Sequence, residues 1–137
     1  MFRPYQLNLT LEIWSDNDGG STYEPYGQIK VNIGNYDVNQ NTIMWNVESS
    51  NYLDILNGAS HFVSHSHTFM ESEAFAHVGN ITAHGTVWES DTGPDDNVGT
   101  PDGDVFQMDE ILNQNITRHY PGYGAAYIEI SLKIIKL

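Results

Sequence analysis

The chain has 137 residues, of which 18 are acidic and five are basic, and its formal net charge is −13. A chain of this length fits one domain, residues 1–137, and can bury a core. Its negative field repels phosphate backbones and anionic lipid head groups, so nucleic acid is excluded as an expected partner. There is no cysteine, which excludes disulfides and thiolate metal sites. We favour an extracellular, secreted location, although no signal peptide is visible.

Apolar and polar residues alternate along much of the chain, beginning with the run from Leu7 to Ile13. The same period of two recurs from Ile29 to Ile33 and from Ile128 to Ile134, and it is typical of half-buried strands. The pattern predicts an all-β fold, an antiparallel β-sandwich of about eight strands. Further strands are expected near 42–48, 52–56, 61–70, 73–78, 80–89 and 104–108, with one short helix around 108–113.

The first and last predicted strands are long and regular, and we expect them to lie at sheet edges. An edge strand presents unpaired backbone groups that can pair with another chain. If the last strand, residues 126–137, is not central in its sheet, it is the natural place for a second copy to add. We therefore predict a homo-oligomer that forms in calcium and dissociates in EDTA.

An acidic, glycine-rich segment, here called loop one (residues 15–20), follows the first predicted strand. Asp16 and Asp18 flank an asparagine and precede two glycines, which allow the backbone to turn with positive φ. Aspartate, asparagine and glycine are also the commonest turn residues. A solvated turn is therefore the competing interpretation of this segment.

A second acidic segment, loop two (residues 88–99), follows the strand predicted over 80–89. Its carboxylates are closely spaced, and Glu89 and Asp91 point the same way from a strand end. Carboxylates packed this closely repel one another unless a cation lies between them. Oxygen ligands on flexible loops suit calcium, which takes about six to eight of them. We therefore predict calcium as the cofactor.

Both loops resemble the calcium loops of the C2 domain, the calcium-dependent lipid-binding β-sandwich of protein kinase C and synaptotagmin. Residues 87–91 and 95–99 are similar to the third calcium loop of that family, and residues 24–31 are similar to the strand after its first loop. The resemblance implies a C2-like sandwich that holds calcium between two loops at one end. Carried over by position, the ligands are Asp16, Asp18, Glu89, Asp91 and one of the pair Asp95 and Asp96.

The sequence departs from the C2 pattern in ways that bear on the target. Glu89 stands where the family has aspartate. The loop tips, residues 19–22 and 92–94, lack the basic and large apolar residues that enter lipid. The resemblance therefore supports calcium binding more than it supports membrane binding.

Histidines define a competing metal site. His65 and His67 share one face of a predicted strand, and Glu71 follows them. Two imidazoles at this spacing can bind zinc, iron or copper. Residues 58–79 resemble the first motif of cupins, small β-barrels that hold a metal with two histidines, a glutamate and a third histidine. The expected second motif lacks that third histidine, which would have to be replaced by His77, His84 or His119.

We predict a non-catalytic, calcium-binding module that mediates adhesion, surface binding or self-assembly. Its expected partner is a protein, a glycan, a membrane surface or another copy of itself. The alternative is a cupin-like metalloenzyme or metal-binding barrel that uses His65, His67 and Glu71. A polar, exposed strand is the third interpretation of those histidines. Metal analysis separates calcium on oxygen ligands from a transition metal on imidazole.

Overall fold

Strands make up most of the described chain. The computed structural model describes residues 1–14, 22–51, 53–56, 59–90 and 94–137. The strands in these ranges are β1 (Phe2–Trp14), β2 (Thr22–Tyr23), β3 (Pro25–Gly34), β4 (Asn39–Val47), β5 (Ile55–Leu56), β6 (His61–Ser72), β7 (Asn80–Glu89), β8 (Asp96–Gly99), β9 (Asp104–Gln107), β10 (Ile116–Pro121) and β11 (Tyr127–Lys136). The helical turns are α1 (Met108–Ile111) and two 3₁₀ turns, Ser49–Asn51 and Glu73–Phe75. Within the described ranges, no helix has the length and apolar character needed to cross a membrane.

The strands form two antiparallel sheets that pack against each other. The first sheet has the order β10-β11-β1-β6, and the second has the order β4-β3-β7-β8, with β9 also pairing with β7. A short ladder joins β2 to β5. The prediction of an all-β, antiparallel β-sandwich is confirmed.

The alternation of apolar residues explains where the core lies. In β1, Leu7, Leu9, Leu11 and Ile13 are buried, whereas the residues between them are half-buried. Strand β11 repeats this pattern beside β1. Full burial of one leucine or isoleucine side chain contributes about 1.5–3 kcal/mol. The inward faces of these two strands therefore form a large part of the core.

The first and last strands are not edges. Strand β1 pairs with β11 on one side and with β6 on the other. Strand β11 in turn lies between β1 and β10. Because both strands are hydrogen-bonded on both sides, the expectation that residues 126–137 offer an open edge to a second copy is wrong. The edges of the first sheet are β6 and β10.

The strand expected over 73–78 is absent, because β6 ends at Ser72. Ser72 pairs with Phe2, the first residue of β1, and beyond this pair β6 has no residue of β1 left to meet. The chain turns instead into the 3₁₀ turn that begins at Glu73, whose amide donates to the backbone oxygen of Met1 at 3.3 Å. Of the expected strand over 52–56, the described residues 53–56 contain β5, and the expected short helix is present as α1.

Arg118 links the two sheets along one side of the sandwich. It lies on β10 of the first sheet, and its Nη1 donates to the backbone oxygen of Val105, on β9 of the second sheet, at 2.6 Å. The same Nη1 lies 3.0 Å from Oδ2 of Asp104, which also accepts a hydrogen bond from the Tyr120 hydroxyl at 2.8 Å. The guanidinium carbon lies 4.1 Å from the centre of the Phe106 ring. The Arg118 guanidinium thus forms a hydrogen bond, an ion pair and a cation–π contact between the two sheets.

Candidate metal site

Both acidic loops begin at the same end of the sandwich. Loop one follows β1. Loop two, defined as residues 88–99, begins with the last two residues of β7 and ends with β8. The Tyr23 hydroxyl donates to the backbone oxygen of Ile13, near the end of β1, at 3.1 Å. The Ser90 amide, just after β7, donates to the backbone oxygen of Glu24 at 2.9 Å. Residues 23 and 24 therefore hold the starts of the two loops beside each other.

Glu89 is the buried carboxylate at this end of the sandwich. It is only 9% exposed, and it pairs with Pro25 of β3 on one side and with Asp96 of β8 on the other. Burial, with a second contribution from the charge of Glu89, raises the pKa of the Tyr23 hydroxyl to about 12. The Glu89 charge therefore acts on the segment that follows loop one.

The two neighbouring aspartates of loop two have different surroundings. Asp96 is half-buried and lies opposite Glu89 across the β7–β8 ladder. Like charges placed directly opposite each other destabilise a ladder, so a cation at this position would remove a repulsion. Asp95 is exposed, and its Oδ2 accepts a hydrogen bond from the Tyr26 hydroxyl. This hydrogen bond is the main cause that raises the pKa of Tyr26 to about 12.

The described residues supply only part of the predicted calcium site. Within the described ranges, no group of three or more histidine, aspartate or glutamate side chains is arranged to hold a metal ion. Asp16, Asp18 and Asp91, three of the six predicted ligands, lie outside the described residues. Oxygen donors from those segments, added to Glu89 and Asp96, would give the all-oxygen donor set that calcium prefers.

The histidine strand does not bring its predicted ligands together. Strand β6 stays extended through all three residues, so His67 and Glu71 are separated by about 13 Å along it, which is four times the rise per residue. His65 is exposed, and Nε2 of His67 lies 3.0 Å from Oε1 of Gln40 on β4. Glu71 is buried and accepts a hydrogen bond from Asn35. Each of the three side chains therefore has separate surroundings.

Two residues that organise the ends of the sandwich were not among the sequence candidates. Tyr23 is completely buried, although it follows a polar loop, and its hydroxyl also donates to the backbone oxygen of Ala59 at 2.9 Å. Asn35 lies in a predicted turn, and its side chain contacts three separate segments. A bulky aromatic residue beside an acidic loop was the available signal for Tyr23. No pattern in the sequence distinguishes Asn35 from an ordinary turn asparagine.

These features define the class of protein as an antiparallel β-sandwich with two acidic loops that begin at one end. No protein-family model and no curated protein sequence matches the chain. Among solved structures, it is similar to a chain in the crystal structure of the Cry23Aa1 and Cry37Aa1 binary protein complex. That likeness has a TM-score of 0.61 and 19% identity, and it covers 96% of this chain and 97% of that chain.

A second similar structure is human GIVD cytosolic phospholipase A2 in complex with a fluorophosphonate inhibitor and terbium chloride. The TM-score is 0.46 and the identity 10%, and the match covers 98% of this chain but only 18% of that chain. The likeness to the chain in the Cry23Aa1 and Cry37Aa1 complex, at 19% identity, shows the β-sandwich fold. The resemblance to C2 domains stays a prediction, because no family model matches.

Proposed function

We propose that the chain is a non-catalytic, calcium-dependent binding module that holds the cation between loop one and loop two. The observation that best supports this proposal is the pairing of Glu89, a buried carboxylate, with Asp96 at the end of the sandwich from which both loops start. The proposed ligands are Asp16, Asp18, Glu89, Asp91, Asp95 and Asp96.

Electrostatics gives the physical reason for a cation at this position. Two unit charges about 4 Å apart near a protein surface repel each other by about 4 kcal/mol. Glu89 is largely removed from water, so salt screens its charge less than that of an exposed carboxylate. The chain has only five basic residues against 18 acidic ones. A divalent cation would add positive charge beside these carboxylates and would order the two loops against each other.

The ordered loops would then present a surface to a partner, and we propose a second protein chain as that partner. The likeness to a chain of a binary protein complex extends over almost the whole of both chains, which supports testing this class first. A membrane suits the site less well, because the loop tips lack large apolar residues and Tyr23 is completely buried. We expect no sedimentation with anionic liposomes in EDTA and only weak sedimentation in calcium.

The calcium site is tested by thermal unfolding with and without calcium. A ligand that binds only the folded state stabilises it by about 2.7 kcal/mol at a concentration near 100 times its Kd. We expect calcium to raise the Tm of the wild-type protein and of an Asp109→Asn variant, which removes one exposed charge on α1. Asp91→Asn should abolish most of the gain.

Two outcomes would contradict the site. An unchanged wild-type Tm at millimolar calcium would reject calcium as the cofactor. An equal calcium response in Asp91→Asn and wild type would reject loop two as its location. Light scattering then separates the two classes of protein partner. An oligomer in calcium that dissociates in EDTA identifies the partner as a second copy of this chain. A monomer in both conditions rejects a second copy as the partner.

A further inference from the structure

The outer face of the second sheet carries a groove of about 630 Å³, here called the sheet groove. It is separate from the proposed metal ligands, and it runs across β4, β3 and β7 beside the 3₁₀ turn Ser49–Asn51. Ligand sites commonly have volumes of about 300–1,000 Å³. The residues that carry the argument are Tyr26, Gln28, Asn46, Glu48, Thr86 and Trp88.

The strand register explains why these side chains meet. Tyr26 on β3 lies opposite Trp88 on β7, and two residues further along β3, Gln28 lies opposite Thr86. On the other side of β3, Gln28 lies opposite Asn46 of β4. Because alternate residues of a strand point to the same face, this register places two aromatic rings in one row and a line of amide and hydroxyl groups in the next.

Two glycines form the floor of the sheet groove. Gly27 and Gly85 have φ values of +131° and +107°, and a Cβ on either would lie 2.2 or 1.9 Å from a backbone oxygen of the opposite strand. Strand glycines of this kind mark places where backbones approach closely or where a ligand reaches the backbone. Both glycines line the groove, and the backbones of β3 and β7 approach closely at these positions.

Several groups of the sheet groove are held in place before any ligand binds. The Tyr26 hydroxyl donates to Asp95, which fixes the ring at the end of the groove. The Thr86 hydroxyl lies 2.8 Å from that of Thr100, which in turn donates to the backbone oxygen of Gly85 at 2.6 Å. Such preorganisation reduces the entropy that a ligand must overcome on binding.

The chemistry of the lining selects a neutral, hydroxyl-rich ligand. Tyrosine and tryptophan offer apolar ring faces with a polar edge, which suit the C–H face of a pyranose ring. Gln28, Asn46 and Thr86 offer both donors and acceptors, and Glu48 offers an acceptor for hydroxyl groups. Among the described residues, no lysine or arginine lines the groove. The net charge of −13 further opposes an anionic ligand.

We infer that the sheet groove is a binding site for a neutral oligosaccharide. A protein partner would require a fully desolvated apolar anchor, whereas amide and hydroxyl groups lie directly beside the two rings in this open groove. An open groove across three strands also fits an extended chain of sugars better than a compact metabolite. None of the six proposed calcium ligands lines the groove, so glycan binding does not require the cation. The groove does adjoin loop two, because Trp88 is the first residue of that loop and Tyr26 donates a hydrogen bond to Asp95.

The test is isothermal titration of the whole chain with cellohexaose, mannohexaose, maltohexaose and chitohexaose, with a heparin hexasaccharide as the anionic comparison. We expect at least one neutral hexasaccharide to bind both in calcium and in EDTA. Trp88→Ala and Asn46→Ala should each lower the affinity about tenfold or more. Phe62→Ala removes a ring that is more exposed than that of Trp88, on the outer face of the first sheet, and it should leave the affinity within about twofold.

Each other outcome overturns the inference. Binding of none of the four neutral sugars, or a preference for heparin, rejects the ligand class. Equal binding by wild type, Trp88→Ala and Asn46→Ala rejects the groove as the site, as does an equal loss in Phe62→Ala. Binding that is lost in EDTA would place the sugar on the metal instead. Circular dichroism of each variant establishes that the fold is retained, and Asn46 is exposed, so its truncation leaves the core intact.

Discussion

The half-buried side chain of Asn35 and the buried carboxylate of Glu71 form a pair that joins the turn after β3 to the end of β6. Nδ2 of Asn35 donates to Oε2 of Glu71 and to the backbone oxygen of Phe75, the latter at 3.2 Å. Oδ1 of Asn35 accepts from the amides of Asp37 and Val38 at 2.7 and 3.0 Å. The other carboxylate oxygen of Glu71, Oε1, is buried and has no hydrogen-bond partner among the described residues. This pair fastens the end of the sandwich opposite the acidic loops.

Replacing Asn35 with alanine should strongly destabilise the protein. The change removes these four hydrogen bonds and a fifth, to the Met108 sulfur at 3.8 Å, and it leaves the buried Glu71 carboxylate without its donor. An unsatisfied buried polar group costs about 1–3 kcal/mol and more when it is charged, so we expect a loss of about 3 kcal/mol in the free energy of unfolding. Urea denaturation measures it, with the exposed Asn41→Ala as the control. A loss no larger than that of the control would contradict this role.

Glu71→Gln should stabilise the protein at neutral pH and much less under acid conditions. Burial, assisted by the charge of Asp37, raises the pKa of Glu71 above its ordinary value of 4.5, against the opposing hydrogen bond from Asn35. A raised folded-state pKa favours the protonated form, so this contribution to stability is complete below the unfolded value and is lost as the pH rises through the folded value.

Because glutamine keeps an acceptor for Asn35 but carries no charge, the advantage of Glu71→Gln should appear as the pH rises above 4.5. Denaturation at about pH 4 and about pH 8 measures it. Asp109→Asn, at an exposed position, should show no comparable rise between the two conditions. An advantage that is larger at the lower pH would have the wrong sign and would contradict the burial argument.

Arg118→Lys should destabilise the protein by about 1–2 kcal/mol, although it conserves the charge. A lysine cannot reproduce the planar guanidinium that bonds Val105 and Asp104 while it covers the Phe106 ring. The matched control is Arg3→Lys, because Arg3 forms a more exposed ion pair with Glu73 at 2.8 Å. Exposed pairs contribute about 0–1 kcal/mol. Equal effects of the two substitutions on the free energy of unfolding would contradict a special role for Arg118.

Gly85→Ala should destabilise the second sheet by about 2 kcal/mol or more. The new Cβ would lie 1.9 Å from the backbone oxygen of Gln28, and the φ of +107° is itself unfavourable for alanine. Gly103→Ala is the control, because its φ is +73° but the nearest atom to the new Cβ, in the His84 ring, is 3.6 Å away. The difference between the two losses in the free energy of unfolding gives the part that comes from the steric clash at Gly85. A Gly85→Ala protein as stable as Gly103→Ala would contradict the close strand approach.

The alternation of apolar residues predicts individual strands well but does not predict their neighbours. The run from Leu7 to Ile13 is buried on one face and half-buried on the other, and the alternation of residue types indicates the buried face directly. Whether such a strand is central or at an edge depends on which distant segment pairs with it, and both positions give the same alternation. This is why β11 was expected at an edge and is found in the interior of the sheet.

The starts of the two acidic loops at one end of the sandwich follow from the directions of β1 and β7. No sequence pattern predicted the sheet groove, because Tyr26 and Trp88 are 62 positions apart and meet only through the register of β3 and β7. That both side chains lie on the outer face at the same place became evident only once the two strands were known to be neighbours. Residue types that serve the groove, such as glutamine and threonine, are ordinary for exposed strand faces.

The ladder between β1 and β11 governs how the polypeptide must assemble. Every one of its pairs, from Tyr5 with Lys136 to Trp14 with Tyr127, joins residues more than a hundred positions apart. During synthesis, the apolar face of β1 leaves the ribosome long before the segment that completes its sheet exists. Partly made chains with unpaired strands are prone to aggregate. The high negative charge would keep such unfinished chains apart, so the acidity of this sequence protects the nascent protein as well as the mature one.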